Sequence, residues 1–413
     1  MDRQDERVLV LTQYYAPEPN FITYDVAHAL ASRAKTTVIT AFANYPLGRF
    51  YDGRHHWLPR KEMEGDVTVW RVPMYPDHSR SKLGRFLSYL SFTAAAALLA
   101  PFVAGAPRVV WVYQTPYTVG FATLWFKLVY RSKIVFTYAD LWPESFLAAD
   151  VSKPGKFIDL LFAMRAWINR HADVIIGSTK GTVQRFADDG VPAERLHYVP
   201  VWVQGISDAH ADVPPSPNRI VYAGNLGAGQ HLEPVIEAAV ELQRRGIPVE
   251  FDLYGSGLEE QSLRDLAQTL GARNVNFRGR VPPEQAFEAS STALAQLVTL
   301  KADPMFAMTI PSKLPFCFAA GAPVLYALQG EPARVAHESG AGFRFDGNDP
   351  STLVARIEEI LALTQDERLA LRQRLRRYYR TEFSRHMLMQ RYGAIVLGPE
   401  ATSVDGVDAL DQA

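Results

Sequence analysis

Residues 222–239 read YAGNLGAGQHLEPVIEAA. The run 220–223 ends on Gly224, further glycines follow at Gly227 and Gly229, and an apolar-periodic segment runs over 232–245. A short apolar run, a glycine-bearing turn and a helical period spell strand, tight loop and helix. Such a loop carries backbone N–H groups and the positive end of a helix dipole to one edge of a sheet, where an anion binds. Glycine lets a phosphate come close to the backbone. Asn225 and His231 lie in the same loop. His231 reads either as a phosphate partner or as an ordinary surface histidine.

The same design recurs twice. LYGSGLEE (253–260) passes through Gly255 and Gly257 into a helical pattern over 258–271, and TIPSKLPF (309–316) places Pro311 just before a helix expected over 312–320, starting at Ser312. Lys313 is the lone cation in the apolar run 309–325, with no acid near it in sequence. A cation in the first turn opposes the helix dipole by about 0.3–1 kcal/mol, a penalty that a bound anion turns into attraction. The alternative is a solvated surface lysine. Three glycine-type loops in consecutive βα units favour the ligand.

Outward from these loops the alternation covers the chain. Strands are expected at 8–11, 36–40, 109–113, 133–138 and 174–177, then again at 220–223, 250–254, 274–279, 294–298 and 323–326. Helical patterns at 24–33, 155–171, 232–245, 258–271 and 312–320 lie between them. This is an α/β pattern of parallel strands joined by crossover helices. At 413 residues the chain exceeds one ordinary core. The stretch 205–218, containing DVPPSPN, reads as a linker between two doubly wound, Rossmann-like domains facing across a cleft. The expected division is 1–205, 206–364, a charged amphipathic C-terminal helix within 365–398, and a small, polar, acidic tail over 399–413 that reads as disordered.

Bulk composition excludes several classes. A formal net charge of −1 offers no global basic field for nucleic acid. A single cysteine, Cys317, excludes an internal disulfide framework. The first residues are charged and the run 8–11 is too short for a signal peptide, so it reads as a buried strand. The twenty residues 86–105 carry no charge, which meets the length criterion for a membrane span, but serines, four consecutive alanines and Pro101 favour a buried or peripheral helix. Arg80, Lys82 and Arg85 precede it, a basic cluster beside apolar surface that suits an anionic bilayer, with a buried helix as the alternative. No HExxH, cysteine cluster, Asp-x-Asp or Gly-x-Ser-x-Gly is present, so no metal site is expected.

In YADLWPES (138–145), Asp140 and Glu144 sit at a strand end. Asp140 reads either as an acid that binds hydroxyls or accepts a proton, or as a helix N-cap.

TQYYAPEP (12–19), NYPLGRFYDG (44–53), EGDVTVWRVPMY (64–75), YADLWPES, YAGNLGAGQHLEPVIEAA and TIPSKL followed by AAGAPVL (319–325) occur in the order seen in family 4 retaining glycosyltransferases. Over roughly 8–392 the chain resembles bacterial polysaccharide enzymes of the colanic-acid fucosyltransferase and N-acetyl-fucosaminyltransferase type. The resemblance implies the GT-B fold, metal-independent catalysis, and a GDP- or UDP-linked nucleotide sugar as substrate, with no cofactor. It implies a polysaccharide-repeat or lipid-linked saccharide acceptor, a cytoplasmic location, and peripheral contact with the inner membrane. It also implies a C-terminal helix crossing back onto the first domain. Lys313 and Asp140 are then the expected catalytic residues and Glu144 an acceptor-side residue. The donor site is expected at Gly224, Asn225, Gly227, Gly229, His231, Gly255, Gly257, Pro311, Ser312 and Phe316.

The chain departs from that family at several positions. Met308 and Phe316 stand where a Glu, seven residues, Glu pattern is common, Ala228 where a subgroup lysine follows GNLG, and Pro200-Val201-Trp202 where a PNW turn occurs. Phe316 either stacks on a nucleotide or packs beneath one. A non-catalytic homologue that binds nucleotide or sugar, or another sugar-nucleotide enzyme such as an epimerase, stay as rivals.

Overall fold

The computed structural model describes residues 6–78, 82–114, 116–141, 143–144, 155–203 and 216–399, without the side chains of residues 82, 83 and 157. Arg80, the Lys82 side chain, most of the 205–218 linker and the tail from residue 400 lie outside the described residues. The chain divides into two compact units, Met1–Val199 with Leu388–Ala413, and Pro200–Met387.

In the first unit the strands are β1 (Arg7–Leu11), β2 (Lys35–Ala41), β3 (Arg60–Glu64), β4 (Val67–Val72), β5 (Val109–Tyr113), β6 (Lys133–Tyr138), β7 (Val174–Gly177) and β8 (Leu196–Tyr198). They form one sheet ordered β3-β4-β2-β1-β5-β6-β7-β8. Its helices are α1 (Phe21–Ala31), α2 (Lys82–Val103), α3 (Val119–Ala122), α4 (Leu124–Tyr130), α5 (Lys156–His171) and α6 (Lys180–Asp188). Leu9, Val10, Val38, Val110, Val112, Val135 and Phe136 are fully buried, as a parallel sheet covered on both faces requires. The β3–β4 hairpin was not legible in the sequence. Its first strand reads RKEME, an exposed edge strand with too many charges to show an apolar period. The hairpin turns through Gly65, at φ 55°, and β3 is the sheet's antiparallel member.

The second unit holds β9 (Arg219–Ala223), β10 (Glu250–Tyr254), β11 (Val275–Gly279), β12 (Ala295–Thr299), β13 (Val324–Ala327) and β14 (Gly342–Arg344), in the order β11-β10-β9-β12-β13-β14. Its helices are α7 (Glu233–Arg244), α8 (Glu260–Leu270), α9 (Pro283–Ser291), α10 (Pro304–Ala307), α11 (Lys313–Ala320), α12 (Gly330–Glu338), α13 (Pro350–Ala362) and α14 (Gln365–Glu382). All pairings in this sheet are parallel. Strand order reverses direction at β9, which lies between β10 and β12. In open α/β sheets that reversal opens a crevice at the strands' carboxyl ends.

Residues 365–398, expected as one returning helix, hold two. Helix α14 starts in a capping box between Thr364 and Glu367 and stays in the second unit. There Arg376 reaches the Ala320 carbonyl at 3.4 Å and Arg372 reaches that of Ser291. Phe383 and Ser384 interrupt the run, and α15 (Arg385–Leu397) follows. Most of α15 belongs to the first unit: Tyr392 packs edge-on to Trp111 at 6.0 Å. Lys133 donates to the Ile395 and Val396 carbonyls at 2.7 and 3.2 Å, satisfying the helix's C-terminal end.

Candidate functional site

A cavity of about 400 Å³ opens at the carboxyl ends of β9 and β12, lined by Gly224, Asn225, Gln230, Ser312, Lys313 and Phe316 among others. It sits where the strand order reverses. The Lys313 ammonium lies 3.7 Å from the Tyr222 ring centroid, a cation–π contact, and donates to Gln230 Oε1 at 3.0 Å. The Tyr222 hydroxyl donates to the Asn225 carbonyl at 2.6 Å and lies 3.2 Å from the same Gln230 oxygen. Gly224 is needed for this arrangement, because a Cβ there would stand 2.7 Å from Lys313 Cε.

Lys313 is therefore a half-buried, positioned cation and not a solvated one. Burial pulls its pKa down to about 7. Burial also pushes the neighbouring Cys317 thiol up to about 12, so Cys317 supplies no thiolate at neutral pH. No carboxylate among the described residues lies within ion-pair distance of Lys313. The cation is held in place by a ring face and an amide oxygen, neither of which neutralises it.

Some of the glycines pack loop against loop, and others leave backbone N–H groups at a cavity. Gly224 N–H donates to the Tyr254 carbonyl at 2.9 Å, Leu226 to Ser256 at 3.0 Å, and Gly255 to Gly279 at 2.8 Å. The loops are stacked on one another, and a Cβ on Gly255 would stand 1.8 Å from the Gly224 oxygen. Gly255, at φ 129°, is thus needed for chain packing. A Cβ on Gly257 would likewise stand 2.2 Å from the Leu226 oxygen. The N–H groups of Asn225, Gly227, Ala228 and Gly229, and of Ser312 and Lys313, have no acceptor among the described residues. The first four belong to residues that line an adjoining cavity of about 680 Å³, which shares Asn225 and Gln230 with the first. Pro311 precedes α11 and lines the Lys313 cavity.

Other expected residues fall in different places. Phe316 lines the Lys313 cavity and packs edge-on to Phe287 at 5.5 Å. His231 adopts a left-handed conformation at φ 51° and lies 3.2 Å from Asn348 Oδ1, outside the lining of both cavities. In the first unit Asp140 follows β6, and burial raises its carboxyl above the ordinary range. Glu144 is taken by arginines, receiving Arg165 at 2.6 Å and Arg185 at 3.3 Å. Sequence reasoning missed Tyr222 and Gln230, although both flank the quoted glycines. It also missed Gln13 and Gln114, which follow β1 and β5, where the first sheet's order reverses. Their side-chain oxygens are buried without a hydrogen-bond partner among the described residues. Among those residues no three His, Cys, Asp or Glu side chains gather as a metal site.

Both halves of the chain match family models: "Glycosyl transferase 4-like domain" over residues 19–202, and "Glycosyl transferases group 1" over 206–381. The chain belongs to this family of two-domain, GT-B glycosyltransferases. A putative colanic acid biosynthesis glycosyl transferase of Escherichia coli (strain K12) is 29% identical over 340 residues, 76% of this chain and 81% of that one. A sucrose-phosphate synthase from Thermosynechococcus elongatus superposes with a TM-score of 0.67 at 15% identity, covering 94% of this chain and 98% of that one. An Anabaena protein, HepE, solved in complex with UDP superposes with a TM-score of 0.63 at 16% identity, over 93% and 98% of the two chains. At such identities the structural likeness is one of fold.

Proposed function

We propose that this glycosyltransferase takes its sugar from a nucleoside-diphosphate donor held by the second unit. It passes that sugar to a polysaccharide repeat or a lipid-linked oligosaccharide, retaining the anomeric configuration. The observation that carries the donor reading is Lys313, a positioned cation without a carboxylate in a cavity where the strand order reverses. The UDP bound by the Anabaena structural neighbour supports the same ligand class.

The acceptor hydroxyl attacks the anomeric carbon on the face that the diphosphate leaves. The bond from that carbon to the phosphate oxygen breaks with its electron pair on the oxygen, and the hydroxyl proton departs to that oxygen. Lys313 meets the negative charge as it grows, so its interaction strengthens toward the transition state. Asp140, the partly protected acid that follows β6, is the residue proposed to accept a hydrogen bond from the acceptor. A lipid-linked acceptor brings this chemistry to a membrane surface.

Thermal shift with UDP, GDP, ADP and their sugars, on wild type and Lys313→Ala, tests the donor site. One nucleotide family is expected to stabilise the wild type, by about 2.7 kcal/mol at a hundred times its dissociation constant, and the variant far less. Equal shifts for both proteins, or none for any nucleotide, count against it.

A further inference from the structure

Helix α2 is long and apolar enough to cross a membrane by length and composition, yet only 28% of its apolar window is buried. One stripe packs inward: Ser88, Phe92, Ala96 and Ala100 are buried, and Thr93 pairs with Thr118, just before α3, at 2.7 Å. The opposite stripe faces outward with no charge on it. Leu87, Leu90, Leu98 and Phe102 are 44, 46, 74 and 86% exposed. At about 1.5 Å per residue this stripe is roughly 22 Å long. Helix α3, packed on α2, leads into α4, where Trp125 and Leu128 are 50 and 77% exposed. Exposed apolar surface arranged in this way marks an interaction face.

The charge around it says what covers it. Along the sequence, seven lysines and arginines and no aspartate or glutamate stand between Asp77, whose carboxylate lies beside Gly84 at the start of α2, and Asp140, in a chain of net charge −1. Some of these cations serve the fold, as Lys127 does with Asp173 at 2.8 Å. Arg85 stands in the first turn of α2, and the exposed Arg131 ends α4. A second copy of the chain would bring like charge against like charge in a symmetric contact, which disfavours self-association. A transmembrane span would have to strip the inward stripe from the sheet and break the Thr93–Thr118 pair. A flat, anionic, apolar-cored partner satisfies both the stripe and the cations.

We propose that the outward stripe of α2, with the exposed side chains of α4, lies in the interface of an anionic lipid bilayer without crossing it. This deepens the lipid-linked acceptor reading by naming the face that meets the lipid. Vesicle binding needs no donor, so its failure is read separately from a failure of donor binding.

The test is flotation of the full chain with vesicles of phosphatidylcholine alone or mixed with phosphatidylglycerol. Leu98→Glu/Phe102→Glu and Arg85→Gln/Arg131→Gln are compared with wild type, with melting curves and nucleotide titration as controls. Wild type is expected on the anionic vesicles and released by high salt. The arginine variant is expected to bind about twenty-five-fold more weakly, the product of two factors near fivefold, and the glutamate variant to lose binding. Nucleotide affinity stays unchanged in both. Bromolipid quenching is expected in wild type and to fall in Trp125→Phe. Equal binding to neutral and anionic vesicles, or equal flotation of all three proteins, overturns the proposal. A concentration-dependent dimer abolished by the glutamate pair assigns the face to a second copy and also overturns it. Retention on vesicles through alkaline carbonate washing overturns the peripheral geometry in favour of a span.

Discussion

Arg165 in the first unit and Lys313 in the second are both cations withdrawn from water, and their surroundings are opposite. Arg165 donates to Glu144 at 2.6 Å and Asp189 at 2.8 Å. Burial works against its charge, but the hydrogen bond and carboxylate of Glu144, helped by Asp189, outweigh that and hold its pKa above the ordinary value. Lys313 has a ring and an amide oxygen, and burial pulls its pKa down. The first arrangement is complete without a ligand. In the second, the cation sits in an open cavity without a matching negative charge. An ion pair therefore completes the structure at Arg165, and the half-buried cation lacking one is the residue proposed to meet the donor.

The largest effect that can break this contrast is at Arg165. Arg165→Met removes the buried cation and leaves Glu144 and Asp189 with only the more exposed Arg185, and should cost about 3 kcal/mol in urea unfolding. Nucleotide affinity of the folded fraction should not change. A loss below about 1 kcal/mol would place Arg165 among ordinary surface pairs.

Next comes catalysis at Lys313. Lys313→Ala should lower turnover at saturating donor on the order of 10²–10³-fold, with Lys313→Arg recovering only part, because a planar fork does not reproduce a compact ammonium. Turnover within a few-fold of wild type would make the lysine a bystander.

The same residue should act in the opposite sense on stability. Its folded pKa of about 7 lies below the ordinary 10.5. Between those values the unfolded chain binds the additional proton, so this group's contribution to stability falls as pH drops from 10.5 and reaches its full penalty below 7. Lys313→Met keeps the aliphatic stem and removes the charge. Its Tm should exceed that of wild type near about pH 6, and the gap should close toward about pH 10. A Tm difference independent of pH would contradict the lowered pKa.

The smallest effect is a proton count. Diphosphate binding restores the charge on Lys313, so at about pH 7.5 calorimetry in buffers of different ionisation enthalpy should show uptake of about three-quarters of a proton per nucleotide. Lys313→Met should show none. Equal uptake in both proteins would move the titrating group elsewhere.

How much of this was legible varies from one element to the next. β5, β6, β7 and β10 have the bounds expected from the sequence; β5 and β7 show why most plainly, because a strand buried on both faces announces itself as a continuous apolar run. β3 was hidden by its charges. Lys313 was visible as a lone cation, but Tyr222 and Gln230, which hold it, are 91 and 83 residues away in the chain, and no local period connects them to it. Glu144 reads in the sequence as an acceptor-side acid, and its ion pair with Arg165, 21 residues further on, leaves no local signal.

From the sequence alone came the α/β architecture, the two sheets and the loops at the carboxyl ends of β9, β10 and β12. Periodicity, glycine and capping residues act over a few neighbours, so their signals survive in a linear string. Only the tertiary structure decided which N–H groups remain unpaired, which acids are neutralised, and that Lys313 lies across Tyr222 with no counter-charge. Desolvation and Coulomb energy depend on what the fold brings within a few ångströms, and those neighbours come from distant parts of the chain.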